Sequence, residues 1–189
     1  MVKKTSEKIT IFGSHGEIGS HLVKNFYDLY EIIAISKKVQ KYGKIHSIIL
    51  SNFIENKNWI YPKKALDKKK IFSSKAIILT IGKFKPTENN LDNELHYSNF
   101  EINYKFLNYL ISNKDKFKTS CRIIVITSMN AEIVNTNSLQ YCMSKSQLST
   151  AIDNFKIQLK DSNISIENVM PGPINTKMRK NKINNNLSK

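Results

Sequence analysis

Three side chains in the stretch 122–145 have the types and spacing for proton transfer. The stretch reads RIIVITSMNAEIVNTNSLQYCMSK. A β-branched run, Ile123 to Ile126, ends at Thr127-Ser128. Tyr141 follows thirteen residues after Ser128, and Lys145 four residues after Tyr141. A helix from Ser138 onward would set the phenol and the ammonium one turn apart on a single face. A hydroxyl at a strand end would then meet them, and the set can give a proton to a bound oxygen or take one from it. The Tyr-x-x-x-Lys spacing is weak by itself. With 8 tyrosines and 30 cationic residues, of which only Arg122 and Arg179 are arginine, chance supplies such pairs, and a buried tyrosine beside a solvated lysine has the same spacing. The elements that flank the stretch have to decide.

The first such element is at the N-terminus. Lys8 to Phe12 (KITIF) alternates as a short strand. It runs into Gly13-Ser14-His15-Gly16-Glu17-Ile18-Gly19, which holds three of the chain's six glycines. Ile18, Leu22, Val23 and Phe26 then recur at helical spacing, and Tyr30 to Ile35 is a second strand. In a strand–glycine loop–helix–strand unit the backbone can approach a pyrophosphate, and the helix N-terminus offers unpaired N–H groups and a positive dipole end. No Gly-Lys-Ser/Thr follows, so this is not a P-loop. The second strand ends in Ser36-Lys37-Lys38, where an NAD-preferring fold places a carboxylate on the ribose 2′-hydroxyl. A hydroxyl and two cations suit a 2′-phosphate, so NADP(H) is expected over NAD(H).

Further strands are predicted at Lys44 to Leu50, Ala76 to Ile81 and Ser165 to Met170. The run AIILTI ends at Gly82 and reads as a strand buried on both faces. Ser51 to Ser74 is lysine-rich and broken by Pro62; a loop with one short helix is expected there, with Trp59 and Ile60 anchoring it. A long helix is predicted from about Glu94 to Ser112. Asn103 falls on its Phe100–Leu107–Leu110 stripe, so its amide must find partners in the interior. The next helix carries Tyr141, Lys145, Leu148, Ile152 and Phe155 on one face, which turns the lysine inward. The last strand runs into Pro171-Gly172-Pro173-Ile174-Asn175-Thr176, and Arg179 to Lys189 is expected to be a disordered tail.

Strands alternate with helices, which predicts an α/β fold: a three-layer, doubly wound parallel sheet of about six strands in the order 3-2-1-4-5-6, forming a single domain over residues 1–189 with its core at about 8–178. In such sheets ligands lie at the carboxyl ends of the strands. The glycine loop, Ser36, Gly82, Ser128 and Pro171-Gly172 all fall there.

Composition sets the remaining bounds. No run of eighteen apolar residues is present, so no transmembrane helix is expected. MVKKTSEKIT has no apolar stretch behind its basic residues and does not read as a secretory signal. Cys121 and Cys142 lack metal-ligand spacing, so no metal is expected, and a reduced, cytoplasmic protein is the default. The formal charge of +15 raises the question of nucleic acid. The charge is scattered lysine rather than arginine forks with interleaved aromatics, so neither nucleic acid nor membrane is expected as a partner.

Taken together, the glycine loop, Asn103, Ser128, Tyr141-x-x-x-Lys145 and the Pro171–Thr176 stretch resemble the short-chain dehydrogenase/reductase family over about residues 8–178. The thirteen-residue Ser-to-Tyr spacing is similar to that of its compact branch. The resemblance implies an NAD(P)-dependent oxidoreductase that passes hydride between the nicotinamide and a small carbonyl or alcohol substrate. It implies Tyr141 as the acid or base and Ser128 as hydrogen-bond partner of the substrate oxygen. Lys145 would lower the phenol's pKa and bond the nicotinamide ribose, and Asn103 would hold a water in a relay to the lysine. For the cofactor it implies Gly13, Ser14, His15, Gly16, Ile18, Gly19, Ser36, Lys37, Gly82, Tyr141, Lys145, Pro171, Gly172, Ile174 and Thr176. A homo-oligomer, dimer or tetramer, is also implied.

Several positions depart from the family pattern. The Gly-x-x-Gly-x-x-Gly loop is the form usual in the extended branch, and Glu17 stands where the compact branch has glycine. Phe12 replaces a threonine. Leu79-Thr80-Ile81-Gly82 replaces Asn-Asn-Ala-Gly, and Ser51 or Asn52 replaces an acidic residue. The chain stops about a dozen residues after Thr176, so the expected substrate cover is short. Two other readings stay open on these grounds: a non-catalytic dinucleotide-binding or regulatory protein, and an extended-type nucleotide-sugar epimerase or dehydratase.

Overall fold

The computed structural model describes residues 6–36, 46–49, 70–84, 93–133 and 136–174. Six strands form one parallel sheet: β1 (Lys8–Phe12), β2 (Glu31–Ser36), β3 (His46–Ile49), β4 (Ser74–Leu79), β5 (Cys121–Ile126) and β6 (Ile164–Val169). Their order is β3-β2-β1-β4-β5-β6, as predicted. β1 lies at the centre, with Phe12 opposite Ile35 on one side and Leu79 on the other. The order reverses between β1 and β4, and this is the crevice at which open parallel sheets take their ligands.

Side-chain alternation divides the core into two layers. On one face Phe12, Ile33, Ile35, Ile77, Leu79, Ile123 and Val125 meet the helices α3 (Ile102–Ser112) and α4 (Leu139–Gln158), and the short helix α2 (Asn93–His96) lies against α4. On the other face Ile9, Ile11, Ile32, Ala34 and Ile78 meet α1 (Glu17–Phe26), which buries Gly19 and Val23. Continuous apolar strands are what a sheet covered on both faces requires. Leu148, Ile152 and Phe155 of α4 are buried, each contributing roughly 1.5–3 kcal/mol.

The structure adjusts several predicted boundaries. β4 begins two residues earlier than Ala76, because the 3₁₀ turn Ile71–Ser73 leads directly into it and Ser74 Oγ meets Thr10 Oγ1 at 2.8 Å in the core. It also ends earlier, since Thr80 N–H donates to Phe12 O at 2.8 Å and the chain then leaves the sheet. The long helix predicted at Glu94 to Ser112 is interrupted: a π-helical turn, Tyr97–Glu101, lies between α2 and α3. Phe12, at the departure from the family pattern, stacks on Phe106 of α3 with centroids 4.2 Å apart. Thr80 Oγ1 reaches the carbonyls of Phe12 and Gly13 at 3.0 and 3.2 Å. Trp59, Ile60, Pro62, Lys37, Lys38, Asn175, Thr176 and the tail from Arg179 lie outside the described residues.

Candidate active site

The loop after β1 is shaped by glycine at two positions. Gly13 has φ +91°, a region that costs an L side chain strain, and a Cβ there would stand 2.7 Å from Thr80 Oγ1. A Cβ on Gly19 would stand 2.2 Å from the Gly13 carbonyl oxygen, a backbone atom that cannot move aside. Ile35 O anchors the loop by accepting from Gly13 N–H at 2.8 Å and Ser14 N–H at 3.2 Å. Gly16 caps α1 in extended geometry with no side-chain bond. The start of the ten-residue helix therefore faces a cavity with its backbone exposed at Gly16, Glu17 and Ile18. This cradle fits a dinucleotide pyrophosphate, which binds backbone N–H groups at a helix N-terminus. The exposed Glu17 carboxylate is the one opposing charge among the described lining residues.

That cavity, of about 390 Å³, extends along the carboxyl ends of β1, β4, β5 and β6. Of the residues expected at the site it is lined by Gly16, Ile18, Gly82, Ser128, Tyr141, Pro171, Gly172 and Ile174. Gly13 and Gly19 shape the loop from behind. His15 is exposed, whereas Ser14 and Ser36 are buried. Lys37 and Thr176 are outside the described residues. Phe84, Met129 and Asn130 line the cavity too and carried no sequence signal beyond their nearness to the strand ends, and Thr80, Thr127 and Pro173 line it from stretches the sequence marked without giving these three a role.

Ser128 and Tyr141 meet across the cavity wall. Ser128 leaves β5 in extended geometry and its Oγ accepts from Asn130 N–H at 3.2 Å. This fixes the oxygen and leaves its proton free to turn toward the phenol, an influence that lowers the phenol pKa. The edge of the Phe84 ring packs on the Tyr141 ring at 5.1 Å. Behind Tyr141, Lys145 is buried at 3 % exposure, with Nζ 5.9 Å from the Tyr141 ring centroid and 3.5 Å from Ile126 O, to which it donates. Desolvation brings its ammonium down to about 8.

One expectation is corrected here. Lys145 was expected to draw the phenol toward neutrality, yet Tyr141 lies above its ordinary value. Burial is the largest cause, the Ser128 hydrogen bond opposes it, and the neighbouring Cys142 thiol adds to it. In this protein the loss of water around the phenol outweighs the help it receives.

Asn103 occupies the interior, at 1 % exposure. Its Nδ2 donates to Ile81 O and Asn99 O at 3.1 Å each and to Ser98 O at 3.4 Å, while its Oδ1 has no hydrogen-bond partner. A buried acceptor left open is a ready place for a water. Thr127 is tied to β6 and α4 by a short chain: its hydroxyl donates to Asn168 Oδ1 at 2.5 Å, and Asn168 Nδ2 donates to Ser149 Oγ at 2.8 Å. This holds the end of β5 in fixed relation to the helix that carries Tyr141 and Lys145.

A family model described as short chain dehydrogenase matches residues 89–187 of the chain. No curated protein matches the sequence. Solved structures share the fold at low identity. A short chain dehydrogenase family protein from Francisella tularensis subsp. tularensis SCHU S4 is 19% identical, with 97% of this chain and 78% of that one covered and a TM-score of 0.80. A short chain dehydrogenase from Burkholderia cenocepacia J2315 in complex with NADP is 16% identical over 96% of this chain and 78% of that one, with a TM-score of 0.72. The 3-oxoacyl-[acyl-carrier protein] reductase of Brucella melitensis in complex with NAD is 14% identical over 98% of this chain and 80% of that one, with a TM-score of 0.75. Among the described residues no helix is long and apolar enough to cross a membrane, and no group of side chains could hold a metal.

Proposed function

The chain belongs to the short chain dehydrogenase family, NAD(P)-dependent oxidoreductases that act on small molecules, and from that premise we propose that it reduces a carbonyl, or oxidises the corresponding alcohol, at Tyr141. The observation that carries this reading is that the Ser128 hydroxyl and the Tyr141 phenol line one cavity, with Lys145 buried behind Tyr141. Bound along the cavity from the Gly16 cradle to Pro171-Gly172, a nicotinamide dinucleotide would supply or accept the hydride.

The chain's own residues would handle the proton and the developing charge. A substrate oxygen entering between Ser128 and Tyr141 would take hydrogen bonds from both, and in reduction the phenol would give up its proton. Ser128 is suited to this because Asn130 N–H already occupies an acceptor site on its oxygen. With its pKa near 8, Lys145 is mostly cationic at neutral pH and favours the phenolate as it forms. The open Oδ1 of Asn103 is the proposed water site behind the lysine. Burial of Lys145 also limits its contact with bulk water, so its charge acts on the phenol in a low-dielectric setting.

NADP(H) is the proposed cofactor, supported by the absence of a carboxylate in Ser36-Lys37-Lys38. Gly13, Ser14, His15 and Gly19 would form the loop under the pyrophosphate, and Thr176 and Ile174 would meet the nicotinamide end. Fluorescence titration of the protein with NADPH and NADH tests this directly. NADPH binding tighter than NADH is expected. Tighter NADH binding would overturn the preference, and binding of neither would sink the enzymatic reading.

A further inference from the structure

Gly82 lines the cavity next to Lys145, and two asparagines of one helical stretch hold its neighbours Ile81 and Lys83 from behind. Asn103 Nδ2 donates to Ile81 O at 3.1 Å. Asn99 engages Lys83 at both ends of its amide: Oδ1 accepts from Lys83 N–H at 2.7 Å, and Nδ2 donates to Lys83 O at 2.9 Å. Asn99 is fully buried, in the π-helical turn that separates α2 from α3. Ser98 and Asn99 of this turn are buried, as is Asn103 of α3. Such turns inside helices are often found at functional sites.

Gly82 stands between this clamp and the lysine. A Cβ placed on it would meet Asn99 Oδ1 and Lys145 Nζ at 3.0 Å each. The carbonyl dipole of Asn99 and the Lys145 ammonium are therefore no more than about 6 Å apart, inside the range over which charges move a pKa. The segment has no asparagine of its own to hold it, since the sequence there is Leu79-Thr80-Ile81-Gly82.

We propose that Asn99 is a positioning residue of this site: its amide clamps the Lys83 backbone, and thereby fixes Gly82 against Lys145. Its role in turnover rests on the function proposed above, whereas the clamp and its effect on Lys145 do not. Rupture of the clamp frees Gly82 to move away from the ammonium, and a displacement of about 1 Å at a site of this kind costs on the order of 100-fold in rate.

The test compares wild type, Asn99→Ala and Asn99→Asp in the full chain. Hydrogen exchange at the Lys83 amide reads the clamp. Protection falls at least about tenfold in Asn99→Ala and falls less in Asn99→Asp, whose carboxylate still accepts from the same N–H but no longer donates to Lys83 O. The Lys145 titration, followed by NMR of ¹³C-labelled lysine with Lys145→Arg as the assignment control, reads the coupling. It moves up by about one pH unit or more in Asn99→Asp, because a carboxylate then faces the ammonium. Unchanged Lys83 exchange in Asn99→Ala would overturn the clamp, and an unmoved Lys145 titration in Asn99→Asp would overturn the coupling. If both shifts occur and wild type turns over no carbonyl with NADPH or NADH, the proposed reaction fails and the clamp stands. If wild type is active and Asn99→Ala keeps full kcat, the positioning role fails although the fold is intact.

Discussion

On the β1–α1 side of the cavity the work is done by backbone, and on the β5–α4 side by side chains. The first region is built by leaving atoms out: Gly13 and Gly19 have no room for a Cβ, and the helix start at Gly16 faces the cavity with no side chain over it. Its attraction for an anion comes from peptide dipoles that cannot titrate, with the exposed Glu17 carboxylate opposing them. The second region is built by putting atoms in. A lysine is buried, a phenol is held above its ordinary pKa, and their neighbours are fixed by hydrogen bonds through Thr127, Asn168 and Ser149. The difference teaches where each region is vulnerable. The glycine side fails by steric clash at any pH, whereas the side-chain side responds to pH and tolerates shape-conserving change.

The largest effect belongs to the glycine side. Gly19→Ala sets a Cβ 2.2 Å from the Gly13 carbonyl oxygen, and α1 cannot withdraw from the sheet without losing the packing of Val23. A loss of about 3 kcal/mol or more is expected in urea unfolding. A variant as stable as wild type would show that the loop and helix are not packed as described.

The side-chain region predicts an effect of similar size at neutral pH and opposite sign. The folded-state pKa of Lys145, about 8, lies below its ordinary value of 10.5, so the folded state holds fewer protons between those two values. Stability therefore rises with pH in that window, and the full penalty, roughly 3 kcal/mol, is present below pH 8. Cys121, pushed up by burial from 9.0 to about 12, acts in the opposite direction above pH 9, so the rise is clearest between pH 8 and 9. Lys145→Met keeps the length and removes the charge. It is expected to be more stable than wild type at pH 7, with a gap that narrows as the pH is raised above 8. A gap independent of pH would mean that the ammonium is not desolvated in the fold.

The smallest effect sharpens the contrast within the loop itself. A Cβ on Gly16 would stand 3.2 Å from the same Gly13 oxygen, and the backbone there is ordinary for an L residue. Gly16→Ala is expected to cost less than about 1 kcal/mol in urea unfolding. Its methyl group lies at the cavity wall, so NADPH affinity should drop more than stability does. Equal losses of both would make Gly16 another packing glycine.

Much of this arrangement was legible in the sequence because it depends on local rules. Alternation and apolar runs marked all six strands, and the glycine spacing marked the loop. The inward stripe of α4 predicted that Lys145 would be buried. What could not be read depends on contacts between distant segments. The clamp from Asn99 to Lys83 joins a helix to a loop, and nothing in the local pattern distinguishes Asn99 from the neighbouring polar residues. The π-helical turn that carries Asn99 has no sequence mark, since it follows from packing. The direction of the Tyr141 shift is hidden from the sequence for a related reason. A charge four residues away is visible in sequence, whereas the burial that outweighs it emerges only in the fold.

The central claim is that Tyr141 completes a hydride transfer carried out between a bound nicotinamide and a carbonyl. The most direct measurement uses NADPH deuterated at the transferring C4 position, with wild type and Tyr141→Phe compared against a panel of ketones and aldehydes. Deuterium should appear on the product carbinol carbon with wild type, while Tyr141→Phe should bind NADPH equally well and turn over about 10²–10⁴-fold more slowly. Product without deuterium, or a Tyr141→Phe variant as fast as wild type, would contradict the account.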